Sequence, residues 1–309
     1  MRTLMRAGAI ALAASSVVLG GAVAAQAAPV GTVTVAVNRL ILEPAEYGHT
    51  GSIRIVVRNG TSEPFSGGIT ITEPMPYTFV QTEGASGCGH NTTPDNRTIA
   101  MCGLDKVIKP GRSTVVTVQF RSPAKPQAYA QIAPLNGSVE VDGVTAEFPA
   151  LFRSTTGSLR NPSPYVADTT QALSVAAGDV TLTRQEDGTF AGRVPVTVRN
   201  NSDAPHRDLF TELATPAGID SLSRIEPSEV CFGGDQLPIP PGGNSVSCTL
   251  YGGQLAEGQE RAFEWVLTAP AETPAGPIGT ATTLVEVAGD VVAQTDGANL
   301  ATFNITVAG

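Results

Sequence analysis

Apolar and polar positions alternate through Ile53–Asn59 (I-R-I-V-V-R-N), and the alternation returns at Val194–Asn200 (V-P-V-T-V-R-N), 141 positions later. Ile53, Ile55 and Val57 correspond to Val194, Val196 and Val198. Between them stand Arg54, Val56 and Arg58 in one copy, and Pro195, Thr197 and Arg199 in the other. A period of two describes a strand with one buried face and one wetter face. A polar turn follows each copy. Pro195 has no N–H to give a ladder, so its strand is expected at an edge, or the proline at a bulge.

The rest of the chain lines up in the same two copies. Strands are predicted at Thr32–Val37 and Ala172–Ala176, then at Leu40–Leu42 and Val180–Leu182, each pair followed by an acidic turn. After the central strand come Gly68–Thr72 and Leu209–Ala214, both running into proline. A cysteine pair with an intervening Gly/Asn/Pro-rich loop follows, then a long alternating strand. There Val116, Val118 and Phe120 correspond to Phe263, Trp265 and Leu267. Trp265, the only tryptophan, reads as a core residue. Val139–Val141 with Phe148, and Leu284–Val287 with Phe303, close the copies. Seven or eight short strands per copy, spaced by turns, predict antiparallel β-sandwiches at residues 29–153 and 168–309. Ser154–Ala167, rich in Ser, Pro and Asn, reads as a semi-extended linker.

The first 28 residues read as a secretory signal peptide. Arg2 and Arg6 precede an apolar run, Ala7–Ala25, that exits through Ala25-Gln26-Ala27. Without those two arginines, 17 basic residues face 28 acidic ones, a net charge of −11. Lysine occurs only at Lys106, Lys109 and Lys125. Such a chain is a poor partner for nucleic acid or anionic membranes. No later run resembles a membrane span, and no hydrophobic tail or sorting pentapeptide closes the chain. A secreted, extracellular protein is expected, released or held non-covalently at the cell wall.

The order V-x-V-R-N, a proline turn, Cys, a loop, Cys-x-Leu, a turn ending in Gly and an alternating strand resembles the immunoglobulin-like "conserved repeat" modules of secreted and surface-displayed bacterial proteins. The resemblance covers nearly the whole mature chain, twice. The D-x-L-P-x-G turn of those modules is degenerate here. Glu73-Pro74-Met75-Pro76 lacks the glycine, and Leu213–Gly218 lacks the aspartate. The resemblance implies an all-β fold of two tandem immunoglobulin-like sandwiches outside the cell. The family is one of unknown function and brings no catalytic residues.

Four cysteines allow three full pairings. The internal repeat selects Cys88–Cys102 and Cys231–Cys248, each closing a loop of roughly 15 residues and contributing about 3 kcal/mol. A metal site using Cys88, His90 and Cys102 is the alternative, but Gly233 stands at the place of His90 in the second copy. The three histidines, His49, His90 and His206, do not suggest a catalytic triad. His49 aligns with Phe190 and His206 with Phe65, positions used for packing. No G-x-S-x-G, H-E-x-x-H or phosphate loop occurs, so no enzyme and no cofactor are expected. Turns at Asp142-Gly143, Gln185–Gly188 and Gly289-Asp290 carry oxygen ligands but no calcium-loop series. The reading is a non-enzymatic structural or interaction protein with an unknown protein or glycan partner. Its candidate contacts are Asn91, Asp95, Asn96, Asp235 and Gln236, in the two cysteine-pinned loops. A polysaccharide-binding accessory role is the alternative, and would need an exposed aromatic pair drawn from Tyr47, Tyr77 or Tyr251.

Overall fold

The computed structural model describes residues 31–220, 224–227, 230–289 and 292–309. The predicted signal segment and Asp290 therefore lie outside the described residues. Among these residues there are strands and no helix. The first half contains β1 (Val33–Val37), β2 (Leu40–Pro44), β3 (His49–Asn59), β4 (Gly68–Thr72), β5 (Phe79–Glu83), β6 (Ala85–Thr92), β7 (Thr98–Leu104), β8 (Ser113–Ser122), β9 (Gln131–Ile132), β10 (Gly137–Val141), β11 (Val144–Phe148), β12 (Ala150–Phe152) and β13 (Ser163–Pro164). The second contains β14 (Leu173–Ala177), β15 (Val180–Arg184), β16 (Phe190–Asn200), β17 (Asp208–Thr215), β18 (Arg224–Glu226), β19 (Cys231–Gly233), β20 (Asn244–Leu250), β21 (Glu260–Ala269), β22 (Gly276–Ala288) and β23 (Leu300–Val307). These counts exceed the predicted seven or eight per copy because short pairing segments such as β9 and β13 carry no alternation to read.

One pairing scheme occurs twice. β3 pairs along one side with β1 and then β2, and along the other with β8. β16 does the same with β14, β15 and β21. β4 sits between β7 and β10, as β17 sits between β20 and β22. β2 runs parallel to β12, and β15 parallel to β23. This is a sandwich-like, all-β layout. One apolar cluster gathers Ile53, Ile55, Val118 and Phe120 with Ile71, Val139 and Phe148 from the facing sheet. A second gathers Val194, Val196 and Trp265 with Leu213, Val285 and Phe303. Burying each such aliphatic side chain contributes about 1.5–3 kcal/mol. Trp265 is fully buried, and its indole N–H donates to Thr283 Oγ1 at 3.0 Å.

The repeated residues have repeated tasks. Asn59 and Asn200, the last letters of V-R-N, are buried. Asn59 Nδ2 donates to Ile108 O (2.8 Å) and Asn200 Nδ2 to Leu255 O (2.6 Å). Each Oδ1 accepts an amide two residues on, from Thr61 or Ser202. The side chain thereby satisfies turn groups that the ladder abandons. Gly51 and Gly192 occupy equivalent places where another strand crosses closely. A Cβ on Gly51 would lie 2.3 Å from Ile41 O, and one on Gly192 2.8 Å from Leu182 Cδ2.

Pro195 corrects the expectation of an edge strand, but it does face an irregularity, since the register shifts by one residue between Ala177↔Val196 and Thr183↔Ala191. β16 is paired on both sides, and Pro195 stands where the neighbouring strand breaks between β14 and β15. Its carbonyl accepts the Gly178 amide there at 3.2 Å. The first copy has Arg54 at this place, and the Arg54 amide is met by Asn38 Oδ1 at 2.5 Å. A proline costs nothing where the ladder already has a gap.

The predicted linker is packed. Ser163 and Pro164 pair with β9, and Tyr165 is buried in the first core, its ring 4.8 Å from that of Phe152. The halves also touch. Tyr165 Oη donates to Asp203 Oδ2 at 3.0 Å, and Glu257 N donates to Pro123 O at 3.0 Å. Gln254 Nε2 donates to both Tyr77 O and His206 O.

Candidate functional site

The cysteine-pinned segments differ from the predicted loops. In the first half the chain between the cysteines is mostly a hairpin, β6–β7, at the edge of its sheet. Past Ala85, β6 is made of small and polar residues that are mostly exposed, which hides the strand from a periodicity reading. Cys88 and Cys102 bridge its two strands, with Cα atoms 4.0 Å apart. In the second half Cys231 and Cys248 face each other directly across β19 and β20, Cα atoms 4.1 Å apart. Both bridges clamp an edge strand to its neighbour, which leaves no metal site at Cys88, His90 and Cys102. The His90 ring lies 5.7 Å from that of Phe79.

Of the candidate contacts, Asn91 lies on β6, and Asp95 and Asn96 form the hairpin tip. Asn96 has positive φ and its amide donates to Thr93 O at 2.9 Å. Thr93 Oγ1 accepts the Arg97 amide at 2.9 Å. Asp95 Oδ2 accepts from Arg97 Nε at 2.7 Å. Its hydrogen bond with Thr93, then Arg97, holds the Asp95 carboxyl below the usual range. Arg97 also donates to Glu73 O and Asn136 O, tying the tip to the sandwich.

Beneath this tip lies a buried carboxylate that the sequence reading did not single out. Glu73 is fully buried. It accepts the amides of Tyr77 and Phe79 at 2.7 Å and the amide of Thr98. Burial pushes its carboxyl up, against the downward pull of the Thr98, Phe79 and Tyr77 amides. A carboxylate facing converging amides orders the chain that supplies them. The second half has such a device at another strand position. Glu212, on β17 and 3% exposed, accepts the amides of Asp235 (3.2 Å), Gln236 (3.0 Å) and Leu237 (2.9 Å), and the Ser245 hydroxyl at 2.7 Å. Asp235 and Gln236 are thus pinned by their backbones with their side chains outward. The only sequence signal was an acidic residue among the mostly apolar Leu209–Ala214.

No protein-family model matches the chain, and a search of curated proteins finds no match. Several solved structures show distant likeness. One is a protein of unknown function from Porphyromonas gingivalis W83, at 13% identity over 90% of this chain and 100% of that one, TM-score 0.20. Another is the serine-rich repeat protein Srr2 from Streptococcus agalactiae, at 9% identity over 88% and 92%, TM-score 0.23. A third is the C-terminal domain of the antigen I/II-family protein AspA from Streptococcus pyogenes, at 7% identity over 89% and 100%, TM-score 0.26. At these values none of them decides fold or function.

The remaining candidates have internal partners or stand apart. His49 is buried, with Nδ1–H donating to Ala124 O (3.0 Å) and its ring edge-on to Phe152. His206 is buried, donating from Nδ1 to Ala204 O (2.9 Å) and accepting the Leu255 amide on Nε2 (3.0 Å). Desolvation pushes both imidazoles down. Tyr47 and Tyr77 line separate grooves, and Tyr251 sits on the turn after β20. Asp187 accepts the Thr189 amide and hydroxyl within its own turn. Among the described residues no group of three or more His, Cys, Asp or Glu side chains is placed to hold a metal, and no helix is long and apolar enough to cross a membrane. Two disulfides fit an oxidising, extracellular setting.

Proposed function

We propose that this chain is a secreted, non-enzymatic interaction protein built of two tandem immunoglobulin-like sandwiches, with residues 1–28 removed on export. The observation that carries the reading is the pair of edge elements clamped by Cys88–Cys102 and Cys231–Cys248. Each lies against a segment ordered from below by a buried carboxylate, Glu73 or Glu212. Such pre-ordering lowers the entropy cost of binding a partner, because the contact surface exists before the encounter. The tips differ in sequence, so the two copies address different features of a protein or glycan outside the cell.

The test is retention in the extracellular fraction. The full-length gene is expressed in its own cells, and protein is measured in medium, wall and membrane before and after a salt wash. A triple variant, Asn91→Ala, Asp95→Ala and Asn96→Ala, is expected to weaken retention by about tenfold or more, as loss of a central contact cluster does. A second variant, Asp235→Ala with Gln236→Ala, tests the other tip. Unchanged retention of both would overturn the assignment of these tips. Release by competing polysaccharide alone would identify a glycan partner.

A further inference from the structure

A cavity of about 280 Å³ opens between the halves. Five of its lining residues are prolines, including Pro76, Pro123 and Pro205. Their rings are rigid and their nitrogens donate no hydrogen bond, so these walls are preformed and dry. Met75 adds a buried, adaptable thioether, and Val166 at the rim is 82% exposed. Most polar groups on the wall are already used. Thr78 Oγ1 donates to Met75 O, Ser122 Oγ accepts the Ala124 amide, and Arg97 is paired with Asp95.

Asp203 has hydrogen-bond donors but, among the described residues, no counter-charge. Its carboxylate lines the cavity and accepts the Tyr165 hydroxyl and the Asp168 amide, at 3.0 and 2.8 Å. The Asp203 amide in turn donates to Asp168 Oδ2 at 3.3 Å, so a second carboxylate lies alongside. No ion pair among the described residues reaches either one. The nearby Lys125 is engaged, at 3.9 Å, with Glu257. Burial, and then the Asp168 charge, raise the Asp203 carboxyl above its ordinary range. A half-buried carboxylate beside an aromatic ring in an apolar, proline-walled cavity lacks one thing, an opposite charge.

We propose that this cavity binds a small organic cation, an amine or quaternary ammonium on an apolar body. The charge sits at Asp203 beside the Tyr165 ring, and the body lies among Met75 and the prolines. The guanidinium on the wall, Arg97, is already paired with Asp95, so an organic anion would find no free opposite charge, and a hydrated inorganic cation would find apolar walls in place of oxygen ligands. The cavity shares Asp95 and Arg97 with the first hairpin tip, but Asp203 belongs to neither tip, so Asp203→Asn tests the cavity alone.

The test titrates the intact protein with benzyltrimethylammonium, followed by amide chemical shifts, with phenylacetate and benzyl alcohol as anionic and neutral controls. Saturable shifts around Met75, Tyr165 and Asp203 are expected, with a Kd of about 1 mM or tighter for a ligand of this size. Asp203→Asn keeps an acceptor for Tyr165 and is expected to weaken the cation by about tenfold while leaving benzyl alcohol unchanged. Val166→Trp, at an exposed rim position, should obstruct both. Equal affinity for phenylacetate, insensitivity to Asp203→Asn, or no saturation at about 20 mM would overturn the proposal. If Asp203→Asn fails to fold, cation binding unaffected by Val166→Trp would overturn it too.

Discussion

His49 shows how one residue records both the repeat and its departure. It begins β3 where Phe190 begins β16, and both side chains are buried. A phenyl ring is indifferent to pH, whereas this imidazole is kept neutral by its burial. With the folded value pushed below the ordinary value of about 6.5, the unfolded chain binds a proton first as pH falls. Stability from neutral His49 is therefore present above that value and is lost on acidification through it. Buried carboxyls with raised values, Glu73 and Asp203 among them, act in the opposite sense. Comparing wild type with His49→Phe isolates the histidine. Urea unfolding at pH 8 and pH 5.5 should show a smaller acid-dependent loss in the variant. An identical loss would mean that His49 is protonated in the fold.

At the scale of elements, alternation located β3, β16, β8 and β21 because each has one face in a core. The same signal failed at β6, whose edge position leaves most of its residues exposed past Ala85, and there the chain read as a loop. Glu212 was invisible for a different reason. Its partners arrive from residues 235–237 and 245, which no local pattern joins to β17. Because one carboxylate meets three amides and a hydroxyl, Glu212→Gln leaves fewer acceptors for the same donors. It is expected to cost about 1–3 kcal/mol and to expose Gly233–Leu237 to limited proteolysis before global unfolding. Unchanged proteolysis would show that the disulfide alone orders that segment.

For the whole molecule, the sequence predicts two similar units joined by a semi-extended linker. The similarity is there in the doubled pairing scheme, but the connection is packed. It is built from residues as distant in sequence as Tyr77, Pro123, Tyr165, Asp203 and Gln254, and such a surface has no linear signature. Arg261 organises it by donating to the carbonyls of Gly252, Gly253 and Gln254 at 2.9–3.1 Å. Those bonds hold in place the Gln254 side chain that reaches Tyr77. Arg261→Met should release this segment, seen as faster amide exchange at residues 252–257 and a larger radius of gyration in solution, with both cores intact. No change in either would place the junction's stability in the Tyr165–Asp203 contact instead.

We propose an extracellular protein of two repeats, each clamped by a disulfide. The most direct measurement is the intact mass and unreduced peptide map of the protein recovered from fractionated cells. Protein is expected outside the membrane, beginning after Ala27 or Ala28, with Cys88 linked to Cys102 and Cys231 to Cys248. Protein retained inside with its first 28 residues and four free thiols would contradict it.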